Sequence, residues 1–304
     1  MFDALTLWGL TLHETFVAPF VDFMFMRRAL VACLAISLSC GPIGILLVLR
    51  RMSLMGDALS HAILPGIAVG YLLFGLWLPG LSLGGIIAGM IVALMSGAIA
   101  RKTILTEDAT FSGFYLISLA LGVLLLSLKG GNMDLTHFLF GSVLAVNGSN
   151  LIYIASTTTL TLLILALIYR PLVYECFDPT FIRLLGGRGT LYHYLFLVLV
   201  VLNLVGACQA LGTLMALGIM MLPAITARLI STQIWSAALR ASIIAASCSY
   251  LGLVLSYHVA WPSGPTIILL CGGVYIITLL GHMGRKKFRE YSVKGAKKSS
   301  KKNH

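Results

Sequence analysis

Residues 30–51 read L-V-A-C-L-A-I-S-L-S-C-G-P-I-G-I-L-L-V-L-R-R. Twenty positions pass without a charge, and two arginines close the run. A helix rises about 1.5 Å per residue, so such a run crosses the roughly 30 Å of hydrocarbon in a bilayer. Similar runs follow at about 55–76, 80–100, 111–128, 150–169, 190–206, 210–227, 233–256 and 265–284. Of the 304 residues, 59% are hydrophobic and only 10% are charged. A soluble domain carries about 25% charged residues, so this chain cannot clothe itself in a water-facing surface. The runs are long and strand-like alternation is weak, which favours helices over a membrane barrel. The expected fold is an all-α polytopic bundle of about nine spans; dividing Leu191–Leu229 differently gives about eight or ten. No loop is long enough for a separate folded domain. Residues 1–29 read as an interfacial arm, 30–284 as the transmembrane domain, and 285–304 as a basic, disordered tail. The stretch 129–149 reads as a loop with a partial helix.

The basic residues give the bundle a direction. Cytoplasmic loops are enriched in Lys and Arg. With the C-terminus inside, only Arg27, Arg28 and Lys129 fall on the outer side, so 18 of the 21 basic residues obey the rule. The net charge of +11 is then mostly a cytoplasmic collar that touches anionic lipid. No folded soluble module accompanies the basic tail, which argues against nucleic acid as a partner. The six cysteines form no C-x-x-C pair and mostly sit in apolar runs, as packing thiols do.

The sharpest chemical feature is Arg50–Gly66, R-R-M-S-L-M-G-D-A-L-S-H-A-I-L-P-G. Asp57 and His61 are four apart and share one helix face. Ionisable residues within a span are expensive and mark ion paths. A carboxylate with an imidazole is a partial site for a divalent cation such as zinc or manganese. The same pair could instead lock two helices by a hydrogen bond, and the residues alone leave both readings open. Pro65 lacks an N–H, which deprives the His61 carbonyl of its usual donor. Gly56 and Gly66 allow close backbone approach.

Tyr174–Gly189, Y-E-C-F-D-P-T-F-I-R-L-L-G-G-R-G, lies between two spans on the expected inner face. Asp178 can cap a helix begun by Pro179, and Gly186 with Gly187 can end it. Two turns exposing Phe181, Leu184 and Leu185 need a partner surface, either the membrane domain itself or another protein. In Gln209–Arg228, Gly212, Ala216 and Gly218 permit close packing, Pro223 is expected to bend the span, and Met215, Met220 and Met221 read as packing. Trp261–Thr266, W-P-S-G-P-T, reads as an outer turn. His13, His137, His193, His258 and His282 lie near span ends and read as interfacial; Asp134 and His137 could face an outer vestibule. Neither a G-x-x-x-x-G-K-[ST] phosphate loop nor an H-E-x-x-H pair occurs.

Ser53–Gly66, then F-D-P-T-F-I-R-L-L-G, then A-L-G-T-L-M-A-L-G-I-M-M-L-P-A-I-T-A-R, then P-S-G-P-T resemble, in order and spacing, the metal permease family of ABC importers, also called ABC-3. The resemblance runs from about Phe25 to Gly284. It implies a type II importer-like permease for zinc, manganese or iron in a bacterial inner membrane. It further implies a homodimer, two cytoplasmic ATP-binding subunits and an extracytoplasmic metal-binding protein. No permanently bound cofactor is implied, since the metal is cargo. On this resemblance Asp57 and His61 are metal ligands in the path, and the segment with Asp178, Phe181, Leu184, Leu185 and Gly186 couples to the ATPase. The alternative from the residues alone is a gradient-driven transporter or channel without an ATPase. A membrane enzyme is disfavoured by the lack of a catalytic constellation.

Overall fold

The computed structural model describes residues 14–75, 77–128, 146–177 and 189–300. The described residues form helices and turns without a strand. A short α1 (Ala18–Asp22) precedes α2 (Met24–Leu49). Then come α3 (Met55–Ala62), α4 (Leu64–Phe74), α5 (Leu78–Lys102) and α6 (Glu107–Leu128). The chain continues through α7 (Gly148–Phe177), α8 (Gly189–Leu211), α9 (Thr213–Ile230), α10 (Ile234–Val259) and α11 (Ser263–Ser300). Counting α3 and α4 together, nine spans among the described residues are long and apolar enough to cross a membrane.

Three boundaries differ from the sequence reading. The first span begins at Met24 rather than near 30, so Arg27 and Arg28 belong to it. Arg28 folds back on its own turn, with Nη2 3.3 Å from Met24 Sδ. Long basic stems can lie along an apolar helix end while their heads reach polar headgroups. The final helix continues to Ser300, where a disordered tail was expected. Its extension is rich in Lys and Arg, good helix formers, and a helix already begun needs no new nucleus. The second span is two helices that meet at Ile63. Pro65 falls in the first turn of α4, where its missing N–H is harmless. Across this join, Ser118 of α6 donates to the Ala62 carbonyl at 2.8 Å. Pro223, by contrast, lies within α9 without ending it.

The turns are as specific as the helices. After α2, the Met52 N–H bonds the Leu47 carbonyl and the Arg51 N–H bonds that of Val48. This is a Schellman closure, and it places Arg51 in the left-handed region at φ 59°. A non-glycine residue there costs about 1 kcal/mol, which the buried Met52 and Leu47 help offset. Between α8 and α9 a single residue, Gly212, interrupts the helix at φ 85°, a conformation glycine adopts readily.

Helices α2 and α8 are the most enclosed spans, while α6 and α11 are the least. Helix α2 packs on α7, α9 and α10; α8 joins α7 and α9 to α5 and α3; and α3 to α6 pack among themselves. Lipid offers no hydrophobic drive for helices to associate, so close fit must do it. Small residues supply that fit. A Cβ on Gly66 would stand 2.0 Å from the Gly84 carbonyl oxygen, and one on Gly84 would stand 2.1 Å from that of Gly66. Gly44 meets the Met220 carbonyl in the same way, at 2.2 Å. Gly56 faces the flexible side-chain ends of Met220, Leu217 and Met221. Five cysteines are buried and Cys176 partly so, all as free thiols.

Backbone meets backbone at Gly66 and Gly84, so α4 and α5 cannot relax around a side chain without separating. Gly66→Val is expected to lower stability in detergent by about 1–3 kcal/mol, read as a lower unfolding midpoint. An unchanged midpoint would show that the crossing is not tight.

Candidate functional site

Asp57 stands in the first turn of α3, where the positive end of the helix dipole favours a carboxylate. Met52 and Met55 are buried on either side of the turn into α3, while Ser53 and Leu54 between them are exposed. Ser60 Oγ bonds the Asp57 carbonyl at 2.7 Å, which leaves the carboxylate itself unengaged by that hydroxyl. His61, one turn on, sits beside Tyr115 of α6, with ring centroids 6.3 Å apart. Asp57 Oδ1 and His61 Nε2 are 3.8 Å apart, too far for a hydrogen bond. The two side chains share one helix rather than tying two together. The Asp57 side chain is 65% exposed and that of His61 29%. Both therefore look out from one face of the chain. Among the described residues no group of three or more His, Cys, Asp or Glu side chains could hold a metal ion. One copy thus presents one carboxylate and one imidazole, with room for ligands from elsewhere.

A second polar cluster joins residues far apart in the sequence. It lies where α2, α5 and α7 end and α6 and α8 begin. Arg101 Nη2 donates to Glu175 Oε1 at 2.6 Å, and its Nη1 donates to Thr190 Oγ1 at 3.1 Å. Arg50 Nε points at Cys176 Sγ at 3.2 Å, and its Nη1 donates to His193 Nδ1 at 2.5 Å. The Arg50 guanidinium also lies over the Phe196 ring, 4.8 Å from its centroid. His193 Nε2 in turn is 3.4 Å from Glu107 Oε1. The Glu175 and His193 side chains are 2% and 1% exposed. A cavity of about 290 Å³ lies among these groups. His193 is therefore a buried core histidine and not the interfacial one its place near a span end suggests. Sequence reasoning missed the cluster, because pairing across α2, α5, α6, α7 and α8 leaves no local pattern. The available signal was the presence of Glu107 and Glu175 at the ends of long, mostly apolar helices.

The other singled-out residues are scattered. His258 Nε2 contacts the Thr15 carbonyl at 2.9 Å, and His282 lies exposed on α11. Met215 and Met220 are buried in the core. Trp261 is exposed after α10, and Ser256 Oγ bonds its carbonyl. His13, Asp134, His137, Asp178, Phe181, Leu184, Leu185 and Gly186 lie outside the described residues. The flanks of the last five, Phe177 and Gly189, close α7 and open α8.

Comparison with known proteins fits this architecture. The chain is 35% identical over 267 residues to the manganese import system permease protein ScaB of Streptococcus parasanguinis, covering 86% of this chain and 94% of that one. It is 32% identical over 267 residues to a Haemophilus influenzae membrane protein named for an iron transport system, covering 85% and 94%. The solved structure of PsaBC from Streptococcus pneumoniae in complex with Fab matches with a TM-score of 0.75 and 31% identity, over 86% of this chain and 94% of that chain. The profile of the ABC 3 transport family matches residues 22–282, from the first span into the last. The chain belongs to the ABC 3 transport family.

Proposed function

We propose that this chain is the membrane-spanning permease subunit of an ATP-driven importer for divalent transition-metal ions in a bacterial inner membrane. The observation that carries the reading is the outward Asp57–His61 face of α3. A carboxylate exposed to hydrocarbon is untenable, so this face must meet water or protein. A second copy of the chain answers that need. Two such faces brought together offer two carboxylates and two imidazoles, a full set for a metal ion shedding its water. Carboxylate suits manganese, and imidazole suits zinc and iron, so the mixed set accommodates all three. Manganese is the cargo we favour, on the names of the relatives.

The metal arrives from an extracytoplasmic binding protein and enters between the two copies. Asp57 and His61 replace part of its hydration shell. Residues 178–188, with Asp178, Phe181, Leu184, Leu185 and Gly186, dock on a separate ATP-binding subunit at the basic, cytoplasmic end. The C-terminus lies on that same side. ATP binding and hydrolysis in that partner alternate access to the path.

In vesicles containing the permease, its ATP-binding subunit and its binding protein, Asp57→Ala and His61→Ala are each expected to cut manganese(II) uptake by about 100-fold or more. Both variants should still insert and co-purify with the ATP-binding subunit. Normal uptake by both would remove these residues from the path.

A further inference from the structure

Arg50 and Arg101 have the same odd arrangement. Each reaches one residue at the end of α7 and one at the start of α8. Arg101 holds Glu175 and Thr190; Arg50 holds Cys176 and His193. These four residues flank residues 178–188 on both sides. Each arginine thus ties together the two helix ends through which any displacement of that segment must pass.

The other ends of these ties are informative. Arg50 closes α2, and the turn after it leads directly into α3 with Asp57 and His61. Arg101 lies near the end of α5, and the next helix, α6, begins at Glu107, which faces His193. Helix α6 packs along α3 and carries Tyr115 beside His61. Two routes therefore run from the flanks of 178–188 to the Asp57–His61 face, one through Arg50 and one through Arg101 and α6.

Stability alone does not account for such a cluster. Buried ion pairs are on balance no more stabilising than well-packed apolar residues, and their best-attested use is to set register or switch between states. Two guanidinium groups among the carboxylates also make it a poor site for a cation. Arg50 Nη2, Arg101 Nε and Glu175 Oε2 are buried without a hydrogen-bond partner among the described residues, which leaves them able to re-pair in a second arrangement.

The geometry points to Arg50 and Arg101 as positioning residues that transmit ATP-driven displacement of 178–188 to the metal-binding helix α3. This rests on the reading that 178–188 docks on the ATP-binding subunit. When that segment moves, the ends of α7 and α8 move with it. The planar forks hold both ends, so the end of α2 and the start of α6 follow, and α3 is repositioned. Lysine keeps the charge but has a single head and cannot hold two partners in fixed geometry.

The test uses the complete importer in vesicles, with manganese(II) uptake and ATP hydrolysis measured in the same sample. Arg101→Lys and Arg50→Lys are expected to assemble and hydrolyse ATP within about twofold of the parent, while metal imported per ATP falls on the order of 10-fold. The paired variant Arg101→Met with Glu175→Leu removes the ion pair without leaving a lone charge. It should unfold at the parent's temperature yet show the same uncoupling. An unchanged metal-to-ATP ratio in the lysine variants, or uptake and hydrolysis falling together at constant ratio, overturns the proposal. So does normal coupling in the paired variant. Failure of the underlying reading shows elsewhere, as a parent protein that neither binds an ATP-binding subunit nor imports metal when ATP is supplied.

Discussion

Hydrocarbon cannot solvate a charge, and the architecture of this chain follows from that constraint. A cluster of ionisable side chains at the ends of α2, α5 and α7 answers it by internal contacts. Arg101 is held by Glu175, and Arg50, His193 and Glu107 form a chain of contacts. Asp57 is arranged differently. It is exposed on a transmembrane helix, and its neighbour His61 stands too far away to bond it. The cluster of Arg50, Arg101, Glu107, Glu175 and His193 turns its charges toward one another, whereas α3 turns the Asp57 carboxylate outward, where something other than lipid has to meet it.

The same constraint explains how the helices are held. With no hydrophobic force between spans, the bundle depends on contact, and contact depends on small residues at the crossings. Gly66 and Gly84 bring α4 and α5 to backbone distance, and Gly44 does the same for α2 against α9. These crossings fix the frame around α3, which is short, begins at a closed turn and ends at the join before Pro65. The Asp57–His61 face is thus carried on a short separate helix within a tightly crossed frame.

Much of this was legible in the sequence. Long uncharged runs fall near the nine spans, because a span has to be apolar whatever it packs against. Asp57 and His61 stood out because a carboxylate and an imidazole at helical spacing are conspicuous in an apolar run. Pro65 announced a disturbance, although the sequence reading kept one continuous span where the chain forms two helices. The cluster at the basic end was not legible. Arg50 and Arg101 read as topology anchors and His193 as interfacial, because their partners lie up to 143 residues away. Only the crossing of α2, α5, α7 and α8 brings them together. The extension of α11 to Ser300 was missed for another reason: a Lys- and Arg-rich segment suits both a solvated coil and a helix continued from an existing one.

Pulsed electron paramagnetic resonance of manganese(II) bound to the purified permease tests the central claim most directly, that the outward face of α3 holds the metal. Nitrogen hyperfine coupling from imidazole should appear with the parent protein and disappear in His61→Gln. A manganese signal with oxygen ligands alone in the parent, or nitrogen coupling that survives His61→Gln, would contradict it.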